Sequence, residues 1–215
     1  MAGLVVKPIE ALSDEQLARV QMIYEGAFSP ELRVPFSELA QPGDADRTFV
    51  AMEGETTLVG VAALRLLVSV QWSFLRYFAI AAERRNQGLG RQFWQLLQLE
   101  LQKQAWPTRI IFEVEDPGDS AGDEAERAIR ARRISFWTAC GARLLEARGY
   151  VLPDYTASGT TEPMLLMAAT AAAVPSVQGD VLRGLVLAIY TDRYGMAPDD
   201  PLVSQALASI ALDCR

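Results

Sequence analysis

Histidine is missing from this 215-residue chain, and the chain contains only two cysteines, Cys140 and Cys214. A chain without histidine cannot build a catalytic triad on imidazole, and two distant cysteines do not have the spacing of a zinc site. Any acid–base chemistry therefore falls to Glu, Asp, Tyr, Cys or Lys side chains, or to bound water. We expect a protein without a metal site.

The chain also lacks an excess of basic residues and a long apolar run. Twenty Lys and Arg residues stand against 27 Asp and Glu residues, which gives a net charge of −7. A phosphate-backbone partner requires clustered cations, so this balance disfavours nucleic acid. The first apolar run, in "MAGLVVKPIEALSDEQ", soon becomes charged and fits neither a secretory signal nor a membrane span. We therefore expect a cytoplasmic protein that does not bind nucleic acid or membrane.

Hydrophobic residues make up 50% of the chain, which is enough for the core of one domain. Their periodicity predicts the order strand, helix, helix, three strands, helix, strand, helix, two strands. Ser13 and Gln16 form a predicted capping box for the first helix. The order indicates an α/β fold with a mixed, mostly antiparallel sheet, flanking helices and a strand–helix–strand crossover in the middle.

The character of the chain changes after about residue 171, where two helices are predicted around "GMAPDDP". Apolar residues recur there at helical spacing, at Leu182, Leu185, Val186 and Ile189. We predict a main domain over residues 1–170 and a helical extension over residues 171–215 packed on it. Three roles stay open for the extension: covering an acceptor groove, forming a homodimer contact or extending the core.

The stretch "ERRNQGLGRQFWQLLQ" (residues 83–98) places two glycines and three arginines at the start of a predicted helix. Backbone amides in the first turn of a helix lack intrahelical partners and lie at the positive end of the helix dipole. Glycines let an anion approach these amides closely, and Arg84, Arg85 and Arg91 add positive charge. The spacing is neither a P-loop nor a dinucleotide fingerprint.

The pattern Arg85-x-x-Gly88-x-Gly90 resembles the Arg/Gln-x-x-Gly-x-Gly/Ala signature of the GNAT superfamily of acyl-CoA-dependent N-acetyltransferases. The order of the strands around the pattern is similar to the topology of that family. "RRISFWTACGARLL" resembles the second family motif, and "EVEDP" lies on the expected strand between the two. The resemblance covers about residues 3–170.

The resemblance implies a GNAT-like fold and acetyl-CoA as the cosubstrate, with direct attack of an amine on the thioester. Backbone of the strand before the motif would hold the pantetheine arm and offer an N–H to the oxyanion, at Phe78, Ala79 and Ile80. The loop would hold the pyrophosphate, through Arg85, Asn86, Gln87, Gly88, Leu89, Gly90 and Arg91.

The strand "RIIFEVED" (residues 109–116) carries two carboxylates on one face, at Glu113 and Glu115. Burying them without partners would cost several kcal/mol, so they need arginine partners or a wet groove. Arg130, Arg132 and Arg133 on the next helix are candidate partners. Either a structural ion pair or a general base explains the carboxylates, and Glu113 is the better candidate for the base because it is further from the strand end.

Trp137 departs from the family, because many members carry at that position a tyrosine that protonates the coenzyme A thiolate. An indole cannot act as a phenol does, so we predict packing for Trp137. Tyr150, Tyr155 or water remain candidates for the acid, and Tyr150 also suits a half-buried core position. Cys140 is predicted to pack rather than to act covalently.

The resemblance to the GNAT superfamily implies an N-acetyltransferase that transfers acetyl from acetyl-CoA to a primary amine. A coenzyme A-binding protein without turnover and an oligomer scaffold with an empty loop are the two rival interpretations. The acceptor, the exact acyl group and the oligomeric state are left open by the sequence.

Overall fold

The computed structural model describes residues 3–54, 56–119, 123–153, 161–170 and 177–210. The described strands are β1 (Leu4–Pro8), β2 (Asp46–Glu53), β3 (Thr57–Leu67), β4 (Trp72–Ile80), β5 (Ile110–Glu115), β6 (Arg143–Leu144), β7 (Val151–Leu152) and β8 (Glu162–Ala169). The described α-helices are α1 (Asp14–Ala27), α2 (Phe36–Ala40), α3 (Leu89–Lys103), α4 (Glu124–Ala139), α5 (Gly179–Ala188) and α6 (Pro201–Ala208). Among these residues, no helix is long and apolar enough to cross a membrane.

The chain divides into two compact units. The first unit comprises Met1–Leu66 and Leu75–Thr108, and the second comprises Leu67–Phe74 and Arg109–Arg215. The strand β4 begins in the second unit and continues into the first. The domain boundary that the sequence suggests at residue 170 stays a prediction.

The sheet begins in the order β1, β2, β3 and β4, and the first two pairings, β1 with β2 and β2 with β3, are antiparallel. β1 pairs with β2 from Leu4 opposite Glu53 to Pro8 opposite Phe49. The predicted capping box begins α1: Gln16 N donates to Ser13 Oγ, and Ser13 N donates to Gln16 Oε1. These reciprocal bonds satisfy two amides at the helix terminus and confirm the predicted helix start.

The core of the first unit joins α1 to β4 through Tyr24 and Tyr77, whose rings meet edge to face at 5.0 Å. The Tyr77 hydroxyl donates to Leu32 O at 3.2 Å and accepts from Val34 N at 3.1 Å. The Tyr24 hydroxyl donates to Val34 O at 3.0 Å. Two buried phenols therefore hold the irregular segment between α1 and α2, which explains how a loop rich in proline keeps a defined course.

The second unit is organised around β5, which lies between the start of β4 and β8. β5 is parallel to β4, with Ser73 opposite Ile110 and Phe74 opposite Ile111. It is antiparallel to β8 over six residue pairs, in which Glu113 faces Leu166. One parallel pair among antiparallel ones confirms the predicted mixed, mostly antiparallel α/β fold with flanking helices.

The C-terminal helices contribute to the core of the second unit. The residues predicted from helical periodicity, Leu182, Leu185, Val186 and Ile189, are at most 1% exposed. They share one apolar cluster with residues of the strands, including Trp72, Phe74, Ile111 and Leu166. Burial of a continuous apolar stripe is what an amphipathic helix requires, so these helices are integral to the unit.

Three local features differ from the sequence prediction. β6 spans only two residues where "ARLLEA" suggested a full strand, and the short β7 was not expected. A π-helical turn at Ile189–Arg193 follows α5. Its hydrogen bonds span five residues, as in the bond from Tyr194 N to Ile189 O at 3.2 Å. π-turns arise from a local change of bonding pattern that apolar periodicity does not reveal.

Candidate functional site

The loop before α3 has the backbone geometry of an anion site. Gly88 is the N-cap residue with φ of +78°, and Asn86 has φ of +61°. The helix hydrogen bonding starts with Gln92 N donating to Gly88 O at 3.3 Å. Helix geometry leaves the amides of the first turn without intrahelical acceptors, and a glycine N-cap has no side chain that could accept from them.

The surface at this loop is open. Asn86, Gln87 and Gly88 are exposed, and a Cβ added to Gly88 would meet no heavy atom of the described residues within 4 Å. Crowding therefore does not explain the glycine. The left-handed backbone does, because it costs a residue with a side chain about 1–2 kcal/mol.

The arginines near the loop have different surroundings. Arg84 is partly buried and forms an ion pair with Glu53. Arg85 is exposed, and its Nε donates to Ile80 O at 3.1 Å, which orients the guanidinium along the end of β4. Arg91 is also exposed. The charge at the solvent side of the loop therefore comes from Arg85 and Arg91, and Arg84 contributes less than its position in the sequence suggests.

The helix behind the loop is packed firmly. Leu89, Phe93 and Leu97 are buried, as the apolar periodicity predicts. Phe78 of β4 stacks on Phe93 with ring centroids 4.9 Å apart, and it meets Trp94 edge to face at 6.1 Å. The predicted cofactor-binding residues, at positions 78–80 and 85–91, thus lie at the end of β4 and in the loop and first turn of α3, in the first unit. Their role in binding stays a prediction.

A second set of polar groups surrounds Glu113 in the second unit. The Tyr150 hydroxyl donates to Glu113 Oε1. The Tyr194 hydroxyl lies 2.8 Å from both Oε1 and Oε2 of the same carboxylate. The structure thus brings together the predicted base and one candidate acid, and it adds a second phenol that sequence reasoning missed.

The carboxylate of Glu113 has an unusual ionisation. Burial raises its pKa from the ordinary value of 4.5 to about 7, while the Tyr150 hydroxyl and the positive charge of Arg193 act to lower the pKa. The residue as a whole keeps some exposed surface. A half-ionised carboxylate at neutral pH is suited to accept and return a proton.

The site residues that the sequence did not indicate, Tyr190 and Tyr194, belong to the C-terminal extension. Tyr190 and Tyr194 are four positions apart, and their ring centroids lie 6.5 Å from each other. Tyr190 is fully buried, lies 5.2 Å from the ring of Tyr150, and donates through its hydroxyl to Val151 O at 2.8 Å. The spacing of the two tyrosines was visible in the sequence, but nothing in the sequence placed this helix against β5.

Of the expected arginine partners, Arg133 pairs with Glu115, and none forms an ion pair with Glu113 within the described residues. Arg133 of α4 forms an ion pair with Glu115, and Arg130 pairs with Asp119 and Glu126. The hydrogen-bond donors to Glu113 within the described residues are phenols. The two carboxylates on this face of β5 therefore have different environments, which separates the structural role of one from the candidate catalytic role of the other.

Trp137 packs in the second unit, with its ring 4.6 Å from that of Phe112 and 4.9 Å from that of Phe136. This agrees with the packing role predicted for it. Tyr155 and Cys214 lie outside the described residues. Within the described part of the chain, no three His, Cys, Asp or Glu side chains are grouped so that they could hold a metal ion.

Residues 16–127 match the acetyltransferase (GNAT) family, which is more than half of the chain. The chain therefore belongs to the acetyltransferase (GNAT) family, and the class of acyltransferase predicted from the loop is confirmed at the level of the family. No match was found among curated protein sequences.

Solved structures of this family share the fold. An acetyltransferase assigned to the GNAT family from Bacteroides thetaiotaomicron is 19% identical, with a TM-score of 0.67 over 89% of this chain and 99% of that one. An aminoglycoside 6'-N-acetyltransferase solved with coenzyme A is 17% identical, with a TM-score of 0.58 over 80% of this chain and 99% of that one.

A third structure is the Escherichia coli N-acetyltransferase for the alanine of a ribosomal protein, which is 18% identical. Its TM-score is 0.52 over 80% of this chain and 97% of that one. At such identities these similarities establish the fold alone.

Proposed function

We propose that the protein is an N-acetyltransferase that moves an acetyl group directly from acetyl-CoA to a primary amine. The observation that carries this proposal is the open α3 terminus, where the left-handed Gly88 lies between two exposed arginines, Arg85 and Arg91. Within an acetyltransferase family, such a terminus is suited to the pyrophosphate of coenzyme A.

In this proposal the loop binds coenzyme A mainly through its backbone. The first-turn amides of α3 hold the pyrophosphate, and Arg85 and Arg91 add charge that is exposed to the ligand. The backbone of Phe78, Ala79 and Ile80 holds the pantetheine arm. The aminoglycoside 6'-N-acetyltransferase solved with coenzyme A supports coenzyme A as the ligand of this fold.

The chemistry requires one proton to leave the amine and one proton to reach the thiolate of coenzyme A. Glu113 accepts the amine proton, directly or through water, as the neutral amine attacks the thioester carbonyl. The C–N bond forms, the tetrahedral intermediate collapses, and the C–S bond breaks. Tyr150, which is hydrogen-bonded to Glu113, donates a proton to the leaving thiolate and regains one from Glu113. The proton balance then closes without any other group.

A coenzyme A-binding protein without turnover is the alternative. The buried Trp137 favours it, because the position where many family members carry an acidic tyrosine is used here for packing. In that case Glu113 and Tyr150 would be a structural pair.

The acceptor is an amine of unassigned class. The similar proteins named above act on an aminoglycoside and on a ribosomal protein, so the shared fold supports neither a small molecule nor a protein in particular. We propose further that the protein acts in the cytoplasm, without nucleic acid or membrane, and we leave a homodimer open.

Titration calorimetry with acetyl-CoA, followed by an assay of thiol release with a panel of amines, tests the proposal. The panel should contain polyamines, aminoglycosides, amino acids and peptides. Binding with amine-dependent thiol release supports the transferase, whereas binding without release for every amine supports the alternative. Absence of binding contradicts both.

A further inference from the structure

The C-terminal extension forms hydrogen bonds to the Glu113 carboxylate through the side chain of Tyr194. The Tyr194 hydroxyl lies 2.8 Å from each carboxylate oxygen, so its single proton is shared between the two. Eighty-one positions separate these residues in the chain. A donor held symmetrically against both oxygens restricts the rotation of the carboxyl group and favours its ionised form.

Tyr194 is held in this position by its own surroundings. It ends the π-turn, its ring centroid lies 6.5 Å from that of Phe74, and the Arg193 guanidinium lies 4.9 Å from its ring. Asp192 of this turn forms two hydrogen bonds to Ser69: its Oδ2 accepts from Ser69 N at 2.9 Å and from Ser69 Oγ at 2.8 Å. π-turns are rare and often occur at functional sites.

We propose that Tyr194 is a positioning residue for Glu113, so that the C-terminal extension supplies part of the catalytic apparatus of the second unit. The inference rests on the proposed function, because it assigns Tyr194 to the base of that reaction. Tyr194 acts through Glu113 and is not itself a proton donor to the substrate.

Among the residues that the structure describes, few other polar groups face this carboxylate. Tyr150 donates to Oε1, Arg193 contributes positive charge, and Tyr190 lies nearby with its hydroxyl bonded to backbone. The neighbour on β8 is the apolar Leu166, and Arg133 of α4 is paired with Glu115. Removing the Tyr194 hydroxyl therefore changes one donor to Glu113 and leaves Tyr150 in place.

The test compares Tyr194→Phe with Tyr190→Phe in the full chain. Both variants remove one hydroxyl from the same helical segment, but Tyr190 bonds the backbone of Val151 and not Glu113. The Glu113 carboxyl is titrated by carbon-13 NMR without substrate, and kcat/KM is measured against pH in parallel. For Tyr194→Phe, loss of a hydrogen bond to a charged group should raise the midpoint of the NMR titration and the midpoint of the pH–rate profile, each by about one pH unit. The rate plateau at high pH should fall as well, because the Glu113 carboxyl group loses the contact that restricts its rotation.

Tyr190→Phe should lower the melting temperature and leave both midpoints in place. An unmoved NMR midpoint in Tyr194→Phe, or an equal movement in Tyr190→Phe, overturns the inference, since the effect would then be absent or due to packing.

If wild type acetylates no amine but the NMR midpoint moves in Tyr194→Phe alone, the positioning contact is supported and the proposed function fails. If wild type turns over and the midpoint does not move, the proposed function survives and this inference is wrong.

Discussion

The Tyr150 hydroxyl donates to Oε1 of Glu113, although the two residues are 37 positions apart and only Glu113 lies on a strand, β5. Tyr150 is 3% exposed, so the hydrogen bond is shielded from bulk water. A phenol and a carboxylate in such contact can exchange a proton without a water molecule between them. The contact joins the two residues to which the proposed mechanism assigns the acid and the base.

Replacement of Tyr150 separates proton donation from positioning. In Tyr150→Phe we expect kcat on the high-pH plateau to fall about 100-fold, the usual scale for losing a general acid. The measurement is thiol release under saturating acetyl-CoA and amine. A plateau equal to that of wild type would remove Tyr150 from proton transfer, even if the pH midpoint moved.

Replacement of Glu113 should change the shape of the pH–rate profile. With a pKa of about 7, Glu113 makes kcat/KM rise with one-proton dependence through neutral pH, because the ionised form is the base. In Glu113→Gln we expect the rate to fall about 100-fold or more, and the rise of kcat/KM through neutral pH to disappear. Glu115→Gln is the matched control, since Glu115 shares the strand face but pairs with Arg133. If kcat/KM still rises through neutral pH in Glu113→Gln, another group is the base.

The same carboxylate should make stability depend on pH. In the unfolded chain Glu113 loses its proton near 4.5, and in the folded protein near 7, so between these values the folded state binds more protons. Stability from this group is complete below about pH 4.5 and is lost as the pH rises through about 7. We therefore compare the free energy of unfolding of Glu113→Gln with that of wild type. As the pH rises from 5 to 8, the difference should shift in favour of the variant, by at most about 3 kcal/mol.

Urea denaturation at the two pH values measures this shift. An equal pH dependence in wild type and Glu113→Gln would mean that the folded protein does not hold the Glu113 proton more tightly than the unfolded chain does.

Substitution of Gly88 tests the anion loop. Gly88→Ala places a side chain on a backbone with φ of +78° and a methyl group over the open loop surface. We expect the Kd for acetyl-CoA to rise about tenfold, because about 1–2 kcal/mol of strain reorients the first-turn amides. Gly184→Ala in α5 is the control, since no described heavy atom lies within 4 Å of its added Cβ and no left-handed backbone is involved. Equal affinity in Gly88→Ala and wild type, by titration calorimetry, would show that the loop is only a turn.

Two adjacent arginines offer a matched pair for the charge at the loop. Arg85→Gln should weaken acetyl-CoA binding about tenfold and reduce its salt dependence, because Arg85 is exposed and its Nε donates to the carbonyl of Ile80 rather than to a carboxylate. Arg84→Gln should instead lower the melting temperature with little change in affinity, since its partner is the half-buried Glu53. The reverse pattern in calorimetry and thermal unfolding would mean that Arg84 carries the anion.

Much of the fold was predictable because it depends on local rules. The capping box at Ser13, the glycine-bounded start of α3 and the apolar stripe through Leu182 and Ile189 each follow from residues within a few turns of one another. The π-turn after α5 and the two-residue strand β7 were not predicted, because they depend on how the chain is bonded after it has packed.

The sequence by itself determined that the chain carries a glycine-rich helix start flanked by arginines, and that Glu113 lies on a strand face where a carboxylate needs partners. It could not determine which partners those are. Only the tertiary structure brought Tyr150 and Tyr194 to Glu113 and Arg133 to Glu115. The physical reason is that desolvation and hydrogen bonding act through space over a few ångströms, whereas sequence patterns report neighbours along the chain.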